Sequence, residues 1–92
     1  MPRVYSIYDK KMQEFGQLAV AKNDETFRRA VVENVKGSGS LIEKYPVDYQ
    51  VFRVAEFDSS SGFISGYTPV VLVCEVAELL QAEPARMVRD AN

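Results

Sequence analysis

Polar and apolar side chains alternate from the start of the chain. Val4 to Asp9 ("VYSIYD") is rich in β-branched and aromatic residues, which marks a strand. Period two places Val4, Ser6 and Tyr8 on one face and Tyr5 and Ile7 on the other. After the polar connection "KKMQEFG", alternation resumes over Gly16 to Ala21, with Leu18 and Val20 on one side. The two strands predict an antiparallel hairpin. The period then changes. Phe27, Ala30, Val31 and Val35 recur at offsets of three, four and eight and form the apolar stripe of a helix. Asn23 or Asp24 can accept hydrogen bonds from the free amides of its first turn, and Asp24 and Glu25 sit well at its positive end. "GSGS" at 37–40 ends the helix and reads as a flexible exit, and Leu41 to Lys44 as a short tether.

Pro46 biases Tyr45 toward extended backbone, and Tyr49 to Phe57 ("YQVFRVAEF") then alternates again. In a regular strand Tyr49, Val51, Arg53, Ala55 and Phe57 share one face and Gln50, Phe52, Val54 and Glu56 the other. Both faces are mostly apolar, as in an inner strand covered on both sides, and Phe52 is expected to be largely buried. "DSSSG", Asp58 to Gly62, is a turn in which Asp58 bonds its own downstream backbone and Gly62 supplies a positive φ. "FISGYT" returns as the second strand of a hairpin. Pro69 is expected to start a last element: Val70 to Cys74 reads as strand with a helical turn behind, while Val73, Val76, Ala77 and Leu80 would equally form a helical stripe. The whole predicts an α+β fold: an antiparallel sheet of four to five strands in ββαββ order, with one helix packed on one face. Residues 1–80 make a single domain and 81–92 a tail.

Length and composition narrow the function more than they name it. The chain has 92 residues, 47% of them hydrophobic and 26% charged, an ordinary globular balance for one modest core. No apolar run approaches the ~18 residues of a membrane span. The N-terminus lacks the layout of a secretory leader, so a cytosolic protein with no membrane contact is expected. There is no histidine and a single cysteine, Cys74, in an apolar run. That disfavours the usual zinc sites and any nucleophile paired with histidine, and Cys74 reads as a small buried residue. "GSGS" follows a helix and lacks a lysine, so it is no phosphate loop. Asp48, Glu56 and Asp58 read as strand-end and turn carboxylates. No catalytic residue, metal or cofactor is expected.

Charge is uneven. Residues 1–44 carry eight basic and six acidic side chains, and residues 45–92 three and seven, for a net −2. A dedicated nucleic-acid binder usually shows an overt basic excess. Aromatic residues nonetheless recur on the predicted strands beside Arg3, Lys10, Lys11, Arg28, Arg29, Lys36 and Arg53. Single-stranded nucleic acid requires this pairing of types, because bases stack on rings while phosphates meet cations. On that reading Tyr5 or Tyr8 stacks a base, and Lys10, Lys11, Arg28, Arg29, Lys36 and Arg53 track phosphates. The competing reading is that the rings fill the core and the charges solvate the surface.

"VYSIYDKKMQEF", the helix "TFRRAVVENV" and "YPVDYQVFRVAEFDSSSGFI" followed by "TPV" together resemble the small nonstructural protein of gokushovirus-type microviruses, phages with circular single-stranded DNA. The resemblance covers residues 3 to about 80. It rests on Tyr8 and Asp9, Pro46, Asp48 and Tyr49, Phe57 and Asp58, and Gly62. The chain departs from the pattern at Ala55, where glycine is frequent, and over 37–45. The resemblance implies a nonstructural phage protein of the host bacterial cytoplasm, which binds single-stranded DNA or the complex that makes it; an adaptor acting on viral or host replication proteins is the alternative. The motif residues are expected to be mainly structural. A sheet with two apolar faces and one helix leaves one face uncovered, and a two-fold homodimer is the simplest cover.

Overall fold

The computed structural model describes residues 1–81. Of the expected tail only Gln81 is among them, and it ends a helical turn over 76–81; the rest lies outside the described residues. Five strands form one antiparallel sheet: β1 (Arg3–Asp9), β2 (Glu14–Phe15), β3 (Ala19–Ala21), β4 (Tyr49–Phe57) and β5 (Ile64–Glu75). β1 pairs with β4 on one edge and with β2 and β3 on the other, and β5 pairs with β4. Helix α1 (Asp24–Val35) begins as its sequence predicts: the Asn23 side chain accepts from the Thr26 amide at 2.8 Å. The α+β architecture is the one expected, and the ββαββ order holds with the second strand split into β2 and β3; a short helix α2 (Leu41–Lys44) and a 3-10 turn (Pro46–Asp48) precede β4.

The core lies between α1 and one face of the sheet. Phe27, Val31 and Val35 of the helical stripe pack on Tyr5 and Val51, and Val76 closes the end beyond β5. Ile7 and Tyr49 flank them on the same face. The register confirms the sidedness, since Tyr5 stands opposite Arg53, Ile7 opposite Val51 and Asp9 opposite Tyr49.

Four local departures from the expected pattern have physical causes. The second strand is broken: Tyr8 faces Phe15 but Tyr5 faces Ala19, so the partner carries one residue more than β1. Gly16 fills the break, its amide donating to the Ile7 carbonyl at 2.9 Å while its own carbonyl accepts from the Ser6 hydroxyl at 3.0 Å. β4 is bulged, because Val4 faces Ala55 and Tyr5 faces Arg53, which leaves Val54 without a partner on β1. The bulge puts Ala55 and Phe57 on the face away from the helix and Glu56 on the helix side. Pro69 does not open a new element; β5 runs through it, and residues 67–70 stand opposite the single residue Val54. "GSGS" is not a free exit. Gly37 and Gly39, both at positive φ, donate their amides to the Glu43 carboxylate at 2.6 and 2.7 Å, and Ser40 caps α2. These two amides hold the Glu43 carboxyl below the usual carboxylate range.

Phe52 is mostly buried, but outside the core: it lies on the face opposite the helix, since it pairs with Ser6 and not with Tyr5. Core and outer-face phenylalanines should therefore respond differently to truncation. Phe27→Ala, beneath the helix, should cost ~3–5 kcal/mol, and Phe52→Ala only about 2 kcal/mol. Urea unfolding of the two variants checks this; equal losses would mean that the outer face is packed like the core.

Candidate nucleic-acid interface

The sheet face away from α1 carries Tyr8, Phe15 and Phe52 as one cluster. β1, β2 and β4 each contribute one ring, placed side by side by the registers of Tyr8 with Phe15 and of Ser6 with Phe52. The Tyr8 and Phe15 centroids are 4.7 Å apart and tilted, and Phe52 meets both edge-on, at 5.9 and 5.3 Å. Such offset and edge-to-face contacts hold rings rigid. The small residues of this face, Val4, Ser6 and Ala55, are buried, while Phe15 keeps 46% of its surface exposed and Leu72, opposite Phe52, 48%. No helix among the described residues packs on it. A polar row closes one end: Lys10 Nζ pairs with Glu75 at 3.3 Å, and Gln50 donates to the other Glu75 oxygen at 2.8 Å. The Gln50 amide, ahead of Lys10, keeps the Glu75 carboxyl below its ordinary value.

The predicted site residues do not assemble into one groove. Tyr5 is fully buried on Phe27, with ring centroids 4.6 Å apart, and offers no face to a base. Its hydroxyl donates to Asp24 at 2.5 Å, and the Arg53 guanidinium donates to both oxygens of Asp24 at 3.1 and 2.9 Å. Arg53 is therefore spent on an internal ion pair and also lies over the Tyr67 ring, 5.6 Å from its centroid. Arg28 turns inward to the half-buried Cys74, whose thiol is pushed up by burial against the pull of that guanidinium. Arg28, Arg29 and Lys36 belong to the helix layer, on the opposite side of the sheet from Tyr8. Tyr8, Lys10 and Lys11 alone of the predicted set sit at the outer face or the turn beside it. Phe15 and Phe52 were not singled out as site residues from the sequence. Phe15 fell in an apparent connection, and Phe52 in a strand whose two faces looked equally apolar.

The motif residues shape the turns. Asp9 Oδ1 accepts from the amides of Lys11 and Met12, and the Lys10 amide donates to the Asp48 carbonyl, tying the first turn to the Pro46–Asp48 turn. Burial first, then Asp9, raises the pKa of Tyr49. Asp58 Oδ1 accepts from the amide and hydroxyl of Ser60, and Gly62, at φ 81°, donates its amide to the Asp58 carbonyl. The Phe57 amide reaches the Pro2 carbonyl at 3.0 Å.

A model of the family described as Phage ORF5 protein matches residues 2–79. The chain belongs to that family. The ORF5 match takes in all five strands, α1 and every ring of the outer face, and it makes this a phage protein. No curated protein and no solved structure matches the chain. No helix among the described residues of this ORF5 protein is long and apolar enough to cross a membrane.

The Tyr5–Asp24–Arg53 node sets two pH dependences. Burial pushes the Asp24 carboxyl up, but the Tyr5 hydroxyl and the Arg53 guanidinium outweigh it and hold the group below its ordinary value. A carboxyl with a depressed folded pKa stabilises the fold above its unfolded pKa, and that contribution fades as the pH falls from about 4. Burial, followed by the Asp24 hydrogen bond, pushes Tyr5 up to about 12. The unfolded phenol ionises near pH 10, so the Tyr5 contribution is lost as the pH rises from about 10 toward 12. Asp24→Asn should cost ~1–2 kcal/mol at neutral pH, allowing for partial exposure, and shrink the acid loss of stability. Tyr5→Phe should flatten the alkaline loss. Melting curves from pH 3 to 11 check both, and an unchanged acid limb in Asp24→Asn would remove Asp24 from the account.

Proposed function

We propose that this phage protein binds single-stranded DNA through the outer face of its sheet, acting in the host cytoplasm while a microvirus genome is made. The observation that carries the reading is the Tyr8–Phe15–Phe52 cluster on the sheet face away from α1, with Phe15 exposed and Tyr8 and Phe52 partly so. An antiparallel sheet with a helix behind it and rings in front suits splayed bases, because every base has a π-face to stack. A duplex hides those faces. Cations near the rings are few: Lys11 stands exposed in the β1–β2 turn, and Lys10 must leave Glu75 to reach a phosphate. Binding through this face is driven by stacking, with a modest electrostatic share.

A second reading is favoured by that scarcity of free cations. The same apolar face would instead receive protein, either a second copy packed sheet to sheet or a replication protein, and the rings would be its anchors. Both readings use the same rings, so they exclude each other there.

Fluorescence anisotropy with a labelled oligonucleotide separates them. Single strands should bind better than duplex of the same sequence. Phe15→Ala, at the most exposed ring, should cost ~1–3 kcal/mol of binding. The log–log salt slope should be shallow, about −0.7 to −1.4, as one or two phosphate contacts give. Arg29→Ala should leave affinity and slope unchanged. Absence of binding at low salt, together with a mass that doubles with concentration in light scattering, would replace DNA by a second copy.

A further inference from the structure

On the helix side of the sheet α1 leaves part of the core uncovered, and of the three outer-face rings only Phe15 reaches its rim. A groove of about 970 Å³ runs between α1 and the β2–β3 edge. Its floor is apolar, built from Ile7, Ala21, Phe27 and Val31, and Leu18 on its wall keeps 67% of its surface exposed. The volume matches that of ligand pockets, but the shape is a trough along a strand. β2 and β3 pair only with β1 among the described residues, so the outer backbone edge of this segment is unpaired along the trough. Free backbone groups beside an apolar trough are what an added strand uses: main-chain hydrogen bonds give affinity and alternate side chains enter the pocket.

The charges at the two ends say what kind of strand fits. Asp9 and Glu14 both line the β2 end and stand directly opposite each other in the register. Like charges in that position repel, and a cation between them relieves the cost. Glu14 is exposed and makes no hydrogen bond or ion pair among the described residues. At the β3 end the trough is lined by Lys22. We propose that this groove docks an extended segment of a partner protein, added to the β2–β3 edge, with alternating apolar residues, a basic residue over Asp9 and Glu14, and an acidic residue at Lys22. This site shares the rim residue Phe15 with the DNA reading, but not Tyr8 or Phe52, which lie on the opposite face.

The test uses the full chain and two capped heptapeptides, ETVTVTK and ETVTVTE, followed by amide NMR. ETVTVTK should shift the amides of residues 16–21 and of the exposed side of α1, and leave those around Phe52 unmoved. ETVTVTE should bind at least threefold more weakly, and Glu14→Lys, an exposed substitution, should reverse that order. Phe52→Ala should leave peptide binding intact even if it removes DNA binding, so failure of one site is distinguishable from failure of the other. The proposal is overturned if millimolar ETVTVTK shifts nothing, if it shifts the outer face, or if both peptides bind equally. It is also overturned if raising the protein concentration alone produces the same shifts, since the groove then belongs to a second copy.

Discussion

Everything in this fold is arranged around one carboxylate. Asp24 opens α1, and its two oxygens receive the Tyr5 hydroxyl from β1 and the Arg53 guanidinium from β4. Those two residues are cross-strand partners at the middle of the sheet, so a single side chain fixes the helix start over the two central strands. A helix of twelve residues is marginal on its own and needs such an anchor. The node is also obligatory electrostatically. A half-buried guanidinium in the middle of a sheet is tolerable only with an anion against it, and removing either partner strands the other. The Nε atoms of Arg3 and Arg53 are enclosed without an acceptor among the described residues, while the Asp24 and Arg53 side chains stay partly exposed.

With the helix held there, the sheet has one committed face and one open face. The committed face is not fully covered, because α1 leaves the β2–β3 edge bare, and the trough follows from that offset. The open face keeps its large rings because nothing among the described residues reaches them. Both candidate surfaces thus come from the size of the domain: a chain this short has one long helix to cover a five-stranded sheet.

Much of this was legible in the sequence. The strand of Val4–Asp9, the capped helix after Asn23 and the Asp58–Gly62 turn all follow from local periodicity and turn chemistry, whereas residues 70–80 carry both periods at once. The site was less legible because it depends on phase. Tyr5 and Tyr8 look equivalent on an aromatic strand, yet an odd separation sends one into the core and the other outward. Phe15 looked like loop because β2 is two residues long. Arg53 and Arg28 counted as free cations because their partners, Asp24 and Cys74, are distant in the chain. Nothing in the sequence signals the unpaired Val54 or the excess residues around Pro69, which only pairing reveals.

That unpaired Val54 makes β4 two half-strands in antiphase. Before it, odd-numbered residues look toward the helix; after it, even-numbered ones do. Arg53 and Glu56, three apart, therefore meet the same Tyr67, the first under its ring and the second through its hydroxyl at 3.3 Å. The parity of this strand is a setting that one residue controls. Deleting Val54 would make β4 regular and leave every face as it is, whereas taking Val54 into the ladder opposite Val4 would carry the Glu56 carboxylate onto the ring-bearing face and turn Phe57 to the helix side. The character of both surfaces is thus written in the register of the strand as much as in its composition.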